Sequence, residues 1–307
     1  MLIVIPTHAG DVDRAISVAK LIKTLGGAAG HTARIVAAES VSSKNLGELK
    51  SILESSFRKV DVSVVPAREH RDPLAASPSM HTPAANSMFQ LTVGEVESLE
   101  ISTPWLYLEP DSTPIHAGWI DKLEDAYQAG CAKGKRILGS VIPMRNYFFK
   151  VENVNTPTER GLKRSLISIT EDKKETYSPT PMVFPPKYSS ISSLYKGSKL
   201  SPWEMTSSIE LSVHVQDTDI IVHAHDSTNY KLDGSTVTFD RAAGDMTDRK
   251  TINLKGVSLI HGNRDNSLIE IVEKLQPKSE LPQFVGQTEE EKVMSPREAA
   301  LAARNKK

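Results

Sequence analysis

Residues 105–115 read WLYLEPDSTPI: four apolar residues, then two acids separated by a proline. Trp105 to Leu108 has the composition of a buried strand, and it ends where Glu109-Pro110-Asp111-Ser112-Thr113-Pro114 begins. Prolines at 110 and 114 stiffen the chain around Asp111, which suits a carboxylate that has to be held in place, and Ser112 and Thr113 add hydroxyls. The same residues also suit a plain turn, with Asp111 ordering it or capping the helix that follows Gly118. Both readings stay open at this level.

Outward from this segment the pattern is one of strands alternating with helices. Leu2 to Ile5 is a β-branched run stopped by Pro6, and Asp11 to Leu25 carries Val12, Ala15, Ile16, Ala19, Ile22 and Leu25 at helical spacing before Gly26-Gly27. Arg34 to Ala38 reads as a strand ending at Glu39, Asn45 to Phe57 as a helix, and Val60 to Val65 as a strand. Ala67 to Pro83 is a polar loop, and Asn86 to Ser98 is helical. Beyond the acidic segment, Trp119 to Ala129 is a helix and Ile137 to Ile142 a strand. From Pro143 to Leu200 periodicity fades, which predicts loops with short strands at Leu166–Ile169 and Met182–Phe184. Trp203 to Val215 reads as a helix, Ile220 to His223 as a strand, and Ile252 to Ile260 as a last strand ending at His261. The expected fold is α/β: a single Rossmann-like domain whose mixed, mostly parallel central sheet is flanked by helices.

A chain of 307 residues has room for one such domain or two small ones. Lys+Arg 37 against Asp+Glu 38 gives a net charge of −1, so no global field draws the protein to nucleic acid or to an anionic membrane. One cysteine, Cys131, excludes an intrachain disulfide and a cysteine-rich zinc site and fits a reducing compartment. No apolar run approaches the roughly 20 residues of a membrane span, so no membrane partner is expected and the location is read as cytoplasmic. Residues 277–307, with three prolines and the acidic run Glu289-Glu290-Glu291, read as a charged tail.

Ligands of open parallel sheets bind beyond the carboxyl ends of the strands. Thr7, Glu39, Glu109, Asp111 and His261 all fall at such ends. Carboxylate oxygens with an imidazole nitrogen form a donor set suited to Mn²⁺, while an all-oxygen set is better suited to Mg²⁺. His261 beside Gly262 also has the ordinary reading of a satisfied structural histidine. For His223, His225 and Asp226, core packing and turn formation outweigh a second metal site.

The order of these signals resembles GT-A-fold glycosyltransferases, and more narrowly the glycosyltransferase-like proteins of tailed bacteriophages and some bacteria. The motifs that carry the resemblance run over about residues 2–275. They are LIVIPTH at the first strand, Ala85-Asn86-Ser87-Met88-Phe89, WLYLEPDSTPI, Pro181-Met182-Val183-Phe184-Pro185, Pro202-Trp203-Glu204 and LIHGNRDNSLI. The resemblance implies a domain over 1–276, with 1–115 binding a nucleotide-sugar and 116–276 binding the acceptor. It implies Asp111 as the principal metal ligand, Glu109 as the motif's other acid, and His261 as the ligand from the C-terminal segment. Pro6, Thr7, His8 and Glu39 would line the nucleoside pocket, and Asn86 would help hold the nucleotide-sugar. A strict Asp-x-Asp has Asp where this chain has Glu109. Arg264 is read as a bidentate donor to the diphosphate or as one half of a surface salt bridge. Glu204 is the general-base candidate for an inverting transfer, with the first turn of a helix as its structural alternative.

For the acceptor, basic residues at Lys133, Lys135, Arg136, Arg145, Lys150, Arg160, Lys163, Arg164, Lys173, Lys174, Lys187, Lys196 and Lys199 are interleaved with Tyr147, Phe148, Phe149, Tyr177, Tyr188 and Tyr195. Such a mixture can grip a nucleic-acid backbone and stack a base, and in a phage enzyme it points to a hydroxymethylated pyrimidine in DNA. Solvated lysines over buried aromatics are the competing reading, and a glycan, lipid or protein acceptor also stays open. From other classes come a GT-A-like nucleotidyltransferase and a non-catalytic sugar- or DNA-binding module. The former usually carries a Gly-rich phosphate loop with a basic residue after the first strand, and Thr7-His8-Ala9-Gly10-Asp11 has none.

Overall fold

Every residue of β1 (Leu2–Thr7) is buried. Ile3 and Ile5 join one apolar cluster, while Leu2 and Val4 join another on the opposite face, so the strand is packed on both sides as parallel strands require. It pairs in parallel with β2 (Thr32–Ala38) and with β4 (Trp105–Tyr107), and β2 pairs in parallel with β3 (Lys59–Val65). β4 divides its side chains in the same way: Trp105 and Tyr107 face one cluster, Leu106 and Leu108 the other.

The helices that cover these faces follow their apolar spacing. α1 (Val12–Leu25) buries Val12, Ala15, Ile16, Ala19, Ile22 and Leu25 and stops at Gly26, whose φ of 69° is one that glycine adopts without strain. α2 (Ser43–Glu54) starts where the Ser42 hydroxyl accepts a hydrogen bond from the Asn45 amide. α3 (His81–Glu97) lays Phe89 edge-on against Tyr107, with ring centroids 5.3 Å apart. α4 (Trp119–Cys131) buries Trp119, Ile120, Leu123 and Tyr127.

β6 (Ile137–Gly139), β9 (Met182–Phe184) and β10 (Val215–Asp217) complete a seven-stranded sheet of order β10-β6-β9-β4-β1-β2-β3. Only β9 runs against its neighbours. The mixed, mostly parallel sheet flanked by helices is the architecture expected from the alternating pattern. A second sheet of five strands has the order β13-β12-β11-β14-β5. Its members are β5 (Ser112–Pro114), β11 (Ile221–Asp233), β12 (Thr236–Ala243), β13 (Met246–Asn253) and β14 (Leu259–Asn263). β7 (Ile142–Asn155) and β8 (Arg160–Tyr177) form a separate antiparallel hairpin. α5 (Ser267–Leu275) closes the fold with Leu268, Ile269, Ile271 and Val272 buried.

The structure, a computed structural model, describes residues 1–66, 81–140, 142–155, 160–177, 182–186, 215–243 and 246–276. Side chains are described for these except at 81–86, 142–155, 160–177, 225–226 and 241–248. All the elements above lie in the compact unit Met1–Leu275. No helix among the described residues is long and apolar enough to cross a membrane.

Several expectations need correcting. The helix around Asn86 begins earlier, at His81. The stretch after Pro143, read as loops with short strands at Leu166–Ile169 and Met182–Phe184, contains the long hairpin β7–β8, which takes in the first of these strands, and the second is β9. The single strand expected over 252–260 is two strands, β13 ending at Asn253 and β14 starting at Leu259, because Val257 N bonds back to Leu254 O and turns the chain. Ser112–Pro114, read as part of a turn, is an edge strand. β12 and α5 are additions to the expected elements, although Val237 and Phe239 alternate along the one and Leu268, Ile269, Ile271 and Val272 line one side of the other. The helix expected over 203–215 ends in β10 at Val215, and its other residues lie outside the described ones.

Candidate metal centre

Parallel strands β1, β2 and β4 present their carboxyl ends at one sheet edge, so the chain after Thr7, after Ala38 and after Tyr107 emerges there together. After β4 the Leu108 amide still bonds to Val4 O at 2.9 Å. The chain then turns tightly: Ser112 N donates to Glu109 O at 2.9 Å, with Pro110 in the second position of the turn, where its fixed φ is favoured. Asp111 does not cap α4, whose N-cap Gly118 has no side-chain capping bond. Instead the turn passes the chain from the seven-stranded sheet into the five-stranded one through β5.

There β5 pairs antiparallel with β14, placing Ser112 opposite His261. The amides of Gly262 and Asn263 both donate to Asp111 O, at 3.1 and 3.0 Å, and Asn263 Nδ2 donates to the Thr113 hydroxyl at 3.1 Å. This lattice carries the imidazole to the acids. His261 Nε2 lies 2.9 Å from Glu109 Oε2 and 3.0 Å from Asp111 Oδ1, and Arg264 Nη1 lies 3.1 Å from Asp111 Oδ2. Asp111 is 5% exposed and His261 8%.

Such burial would by itself raise the Asp111 carboxyl, but His261 outweighs it, helped by Arg264 and Arg14, and holds the group well below the usual carboxylate range. For His261, burial disfavours the imidazolium, and Asp111 with Glu109 reverses this, raising its pKa to about 10. The His261 imidazolium and the Arg264 guanidinium stand against the two acids.

One potential ligand atom from each of Glu109, Asp111 and His261 lies within 4.8 Å of the others. Two carboxylate oxygens and an imidazole nitrogen match the donor set of a single borderline divalent ion. Ser112 Oγ and Asn263 Oδ1 are buried beside them with no hydrogen-bond partner among the described residues. Ser112 shares a sheet face with His261, since directly opposed residues point the same way. The residues present therefore fit a divalent cation.

Other expected site residues are spread along the same edge. Thr7 is buried and its hydroxyl donates to Asp11 Oδ1 at 3.0 Å. His8 is exposed, with its amide 2.8 Å from Asp11 Oδ1 and its Nε2 3.2 Å from Asp11 Oδ2. Ala9 N reaches Ser40 Oγ at 3.3 Å, which sets the first loop beside the end of β2, where Glu39 is exposed. Pro6 is buried opposite Val36. Asn86 lies on α3 with its side chain outside the described residues, and Glu204 lies outside them altogether.

Three residues of the site had not been singled out for it. Asp11 sits at the N-cap of α1 but makes no capping bond, and its carboxylate turns back to Thr7 and His8. Burial raises its pKa despite those contacts. Arg14 donates to Arg264 O at 3.5 Å. His223, which the sequence assigns to packing, has its Nδ1 2.6 Å from His261 Nδ1. The one legible signal was that both histidines end apolar strands; their register was not.

No family model matches this sequence, and no curated protein gives a significant match. Among solved structures the chain is similar to galactosyltransferase LgtC in complex with donor and acceptor sugar analogs, at 10% identity over 73% of this chain and 76% of that one, TM-score 0.41. It is also similar to mouse xyloside xylosyltransferase 1, at 10% identity over 73% and 86% of the two chains, TM-score 0.36. A third is 4-diphosphocytidyl-2C-methyl-D-erythritol synthase, at 8% identity over 71% and 88%, TM-score 0.42.

Proposed function

We propose that this protein is a metal-dependent glycosyltransferase that moves a sugar from a nucleotide-sugar to an acceptor hydroxyl. The observation that carries it is the convergence of Glu109, Asp111 and His261 at the carboxyl edge of the parallel sheet, beside the Thr7–Asp11 loop. Asp111 is the principal ligand, with Glu109 and His261 completing the protein's set, and the imidazole favours Mn²⁺ over Mg²⁺. A cation bound there supplies Lewis acidity to the departing diphosphate. Pro6, Thr7, His8 and Glu39 hold the nucleoside, and Asn86 the nucleotide-sugar. Arg264, 45% exposed on its side chain, presents its guanidinium to the diphosphate. In the transfer the acceptor oxygen bonds to the anomeric carbon as the bond from that carbon to phosphate oxygen breaks. The acceptor proton passes to a carboxylate, for which Glu204 is our choice.

The acceptor proposal, a hydroxymethylated pyrimidine in DNA, rests on the basic and aromatic residues of 133–199. Of these, only Lys133, Lys135 and Arg136 have described side chains. The test is to incubate the protein with Mn²⁺, a panel of nucleotide-sugars and hydroxymethylcytosine- or hydroxymethyluracil-containing DNA, then to weigh the released nucleosides. No mass gain with any donor removes DNA. Release of nucleoside diphosphate from the same donors tests the broader reading. Asp111→Asn is expected to lower that turnover about 10²-fold or more, the scale of losing one preorganised electrostatic contact.

A second reading has one observation in its favour: the acids are already balanced by His261 and Arg264. In that reading the cluster ties β14 to the Glu109–Ser112 turn, and the protein binds sugar or DNA without turning it over. Ligand affinity that survives Asp111→Ala, with no turnover in the native protein, would favour it.

A further inference from the structure

The pairing of β11 with β14 puts His223 directly beside His261, and beyond His261 stands Ser112, so three polar side chains lie abreast across β11, β14 and β5. The imidazoles are 4.6 Å apart between centroids and inclined by 30°, and Nδ1 faces Nδ1 at 2.6 Å. Two ring nitrogens at that distance share one proton, because two facing lone pairs repel and two facing N–H groups clash. Immediately after His223 the register slips: the next paired residues are Ser227 and Asn263. The extra residues form a bulge, closed by a hydrogen bond from the Ser227 hydroxyl to Ala224 O and tied to β14 by Arg264 N donating to Ser227 O at 2.9 Å. A bulge there ends the regular ladder at His223 and fixes its position relative to His261.

We infer that His223 is a positioning residue for the metal centre: its Nδ1 accepts the Nδ1 proton of His261, so that His261 keeps its proton there and leaves Nε2 free to bind a cation together with Glu109 and Asp111. The inference rests on the metal-site reading above. Neutral imidazole has one protonated and one bare nitrogen, and a ring that binds a cation through Nε2 must keep its proton on Nδ1. Among the described residues, His223 Nδ1 is the acceptor that faces that atom. If the proton were donated the other way, from His223, the Nε2 of neutral His261 would carry hydrogen and could not ligate. Partners of this kind commonly orient a histidine ligand and raise its basicity.

The experiment measures Mn²⁺ binding by the paramagnetic signal of the free ion in the full chain and in three variants. Asp111→Asn reports on the centre itself. His223→Phe keeps an aromatic ring and removes the acceptor; His223→Asn returns an acceptor oxygen near the place of Nδ1. Affinity is expected to fall about 10- to 100-fold in His223→Phe and to recover in His223→Asn. In parallel, nitrogen-15 imidazole spectra of the Zn²⁺-loaded native protein are expected to show His261 protonated at Nδ1. Unchanged Mn²⁺ affinity in His223→Phe, or a His261 proton at Nε2 in the Zn²⁺-loaded protein, would overturn the role of His223 while leaving the metal centre standing. A native protein that binds neither ion, or binds Mn²⁺ as Asp111→Asn does, overturns both. If His223→Phe does not fold, the position of the His261 proton in the spectra still decides.

Discussion

Asp111 gives up water on nearly all sides, and a carboxylate that does so needs positive charge close by. His261 and Arg264 provide it, at 3.0 and 3.1 Å from its two oxygens. The arrangement ties stability to pH in the metal-free protein. Because the folded pKa of His261 is raised from 6.5 to about 10, its contribution is complete below 6.5 and is lost as pH rises through about 10. Asp111 is depressed from 3.8, so its contribution is present above that pH and is lost as pH falls below it. Denaturant midpoints measured without divalent ions should therefore be highest between these two ordinary values and decline on both sides. In His261→Gln the alkaline decline should flatten; a decline of the same steepness in that variant would show that another group causes it.

Elements meet here through a short connection. The turn Glu109–Ser112 passes the chain from β4 of one sheet into β5 of the other, and there the amides of Gly262 and Asn263 meet Asp111 O. Gly262 has φ 102°, a conformation that costs side-chain-bearing residues about 1–3 kcal/mol. Gly262→Ala is expected to lower unfolding free energy by about that amount and to weaken Mn²⁺ binding with it, since the shifted amide releases Asp111. Equilibrium urea unfolding reads the first effect and metal titration the second.

At the scale of the whole molecule the three proposed ligands come from both sheets: Glu109 and Asp111 from the turn after β4, His261 from β14. A cation bound to the folded chain alone would hold the sheets together and shift unfolding by mass action, by about 2.7 kcal/mol at 100 times its dissociation constant. Calorimetry should show the unfolding temperature of the native protein rising with Mn²⁺ and that of Asp111→Asn unmoved. Equal rises in both would place the ion elsewhere.

How much of this was legible follows from which interactions are local. The six apolar positions of α1, the β-branched run of β1 and the apolar stretch before Glu109 report burial through period and composition, because a side chain's face depends only on its place in the helix or strand. So the α/β layering, the parallel sheet and the acids at a strand end could be read from the chain. Of the hairpin β7–β8 only the short strand Leu166–Ile169 was legible, because the length and pairing of the two strands depend on partners across the ladder. The pairing of His223 with His261 and the return of Asp11 toward Thr7 and His8 could not be read. The sequence by itself determined which residue types stand at the ends of strands. Only the tertiary structure decided which ends meet, because strand register and the junction of two sheets are settled by contacts between residues far apart in the chain, on which local periodicity carries no information.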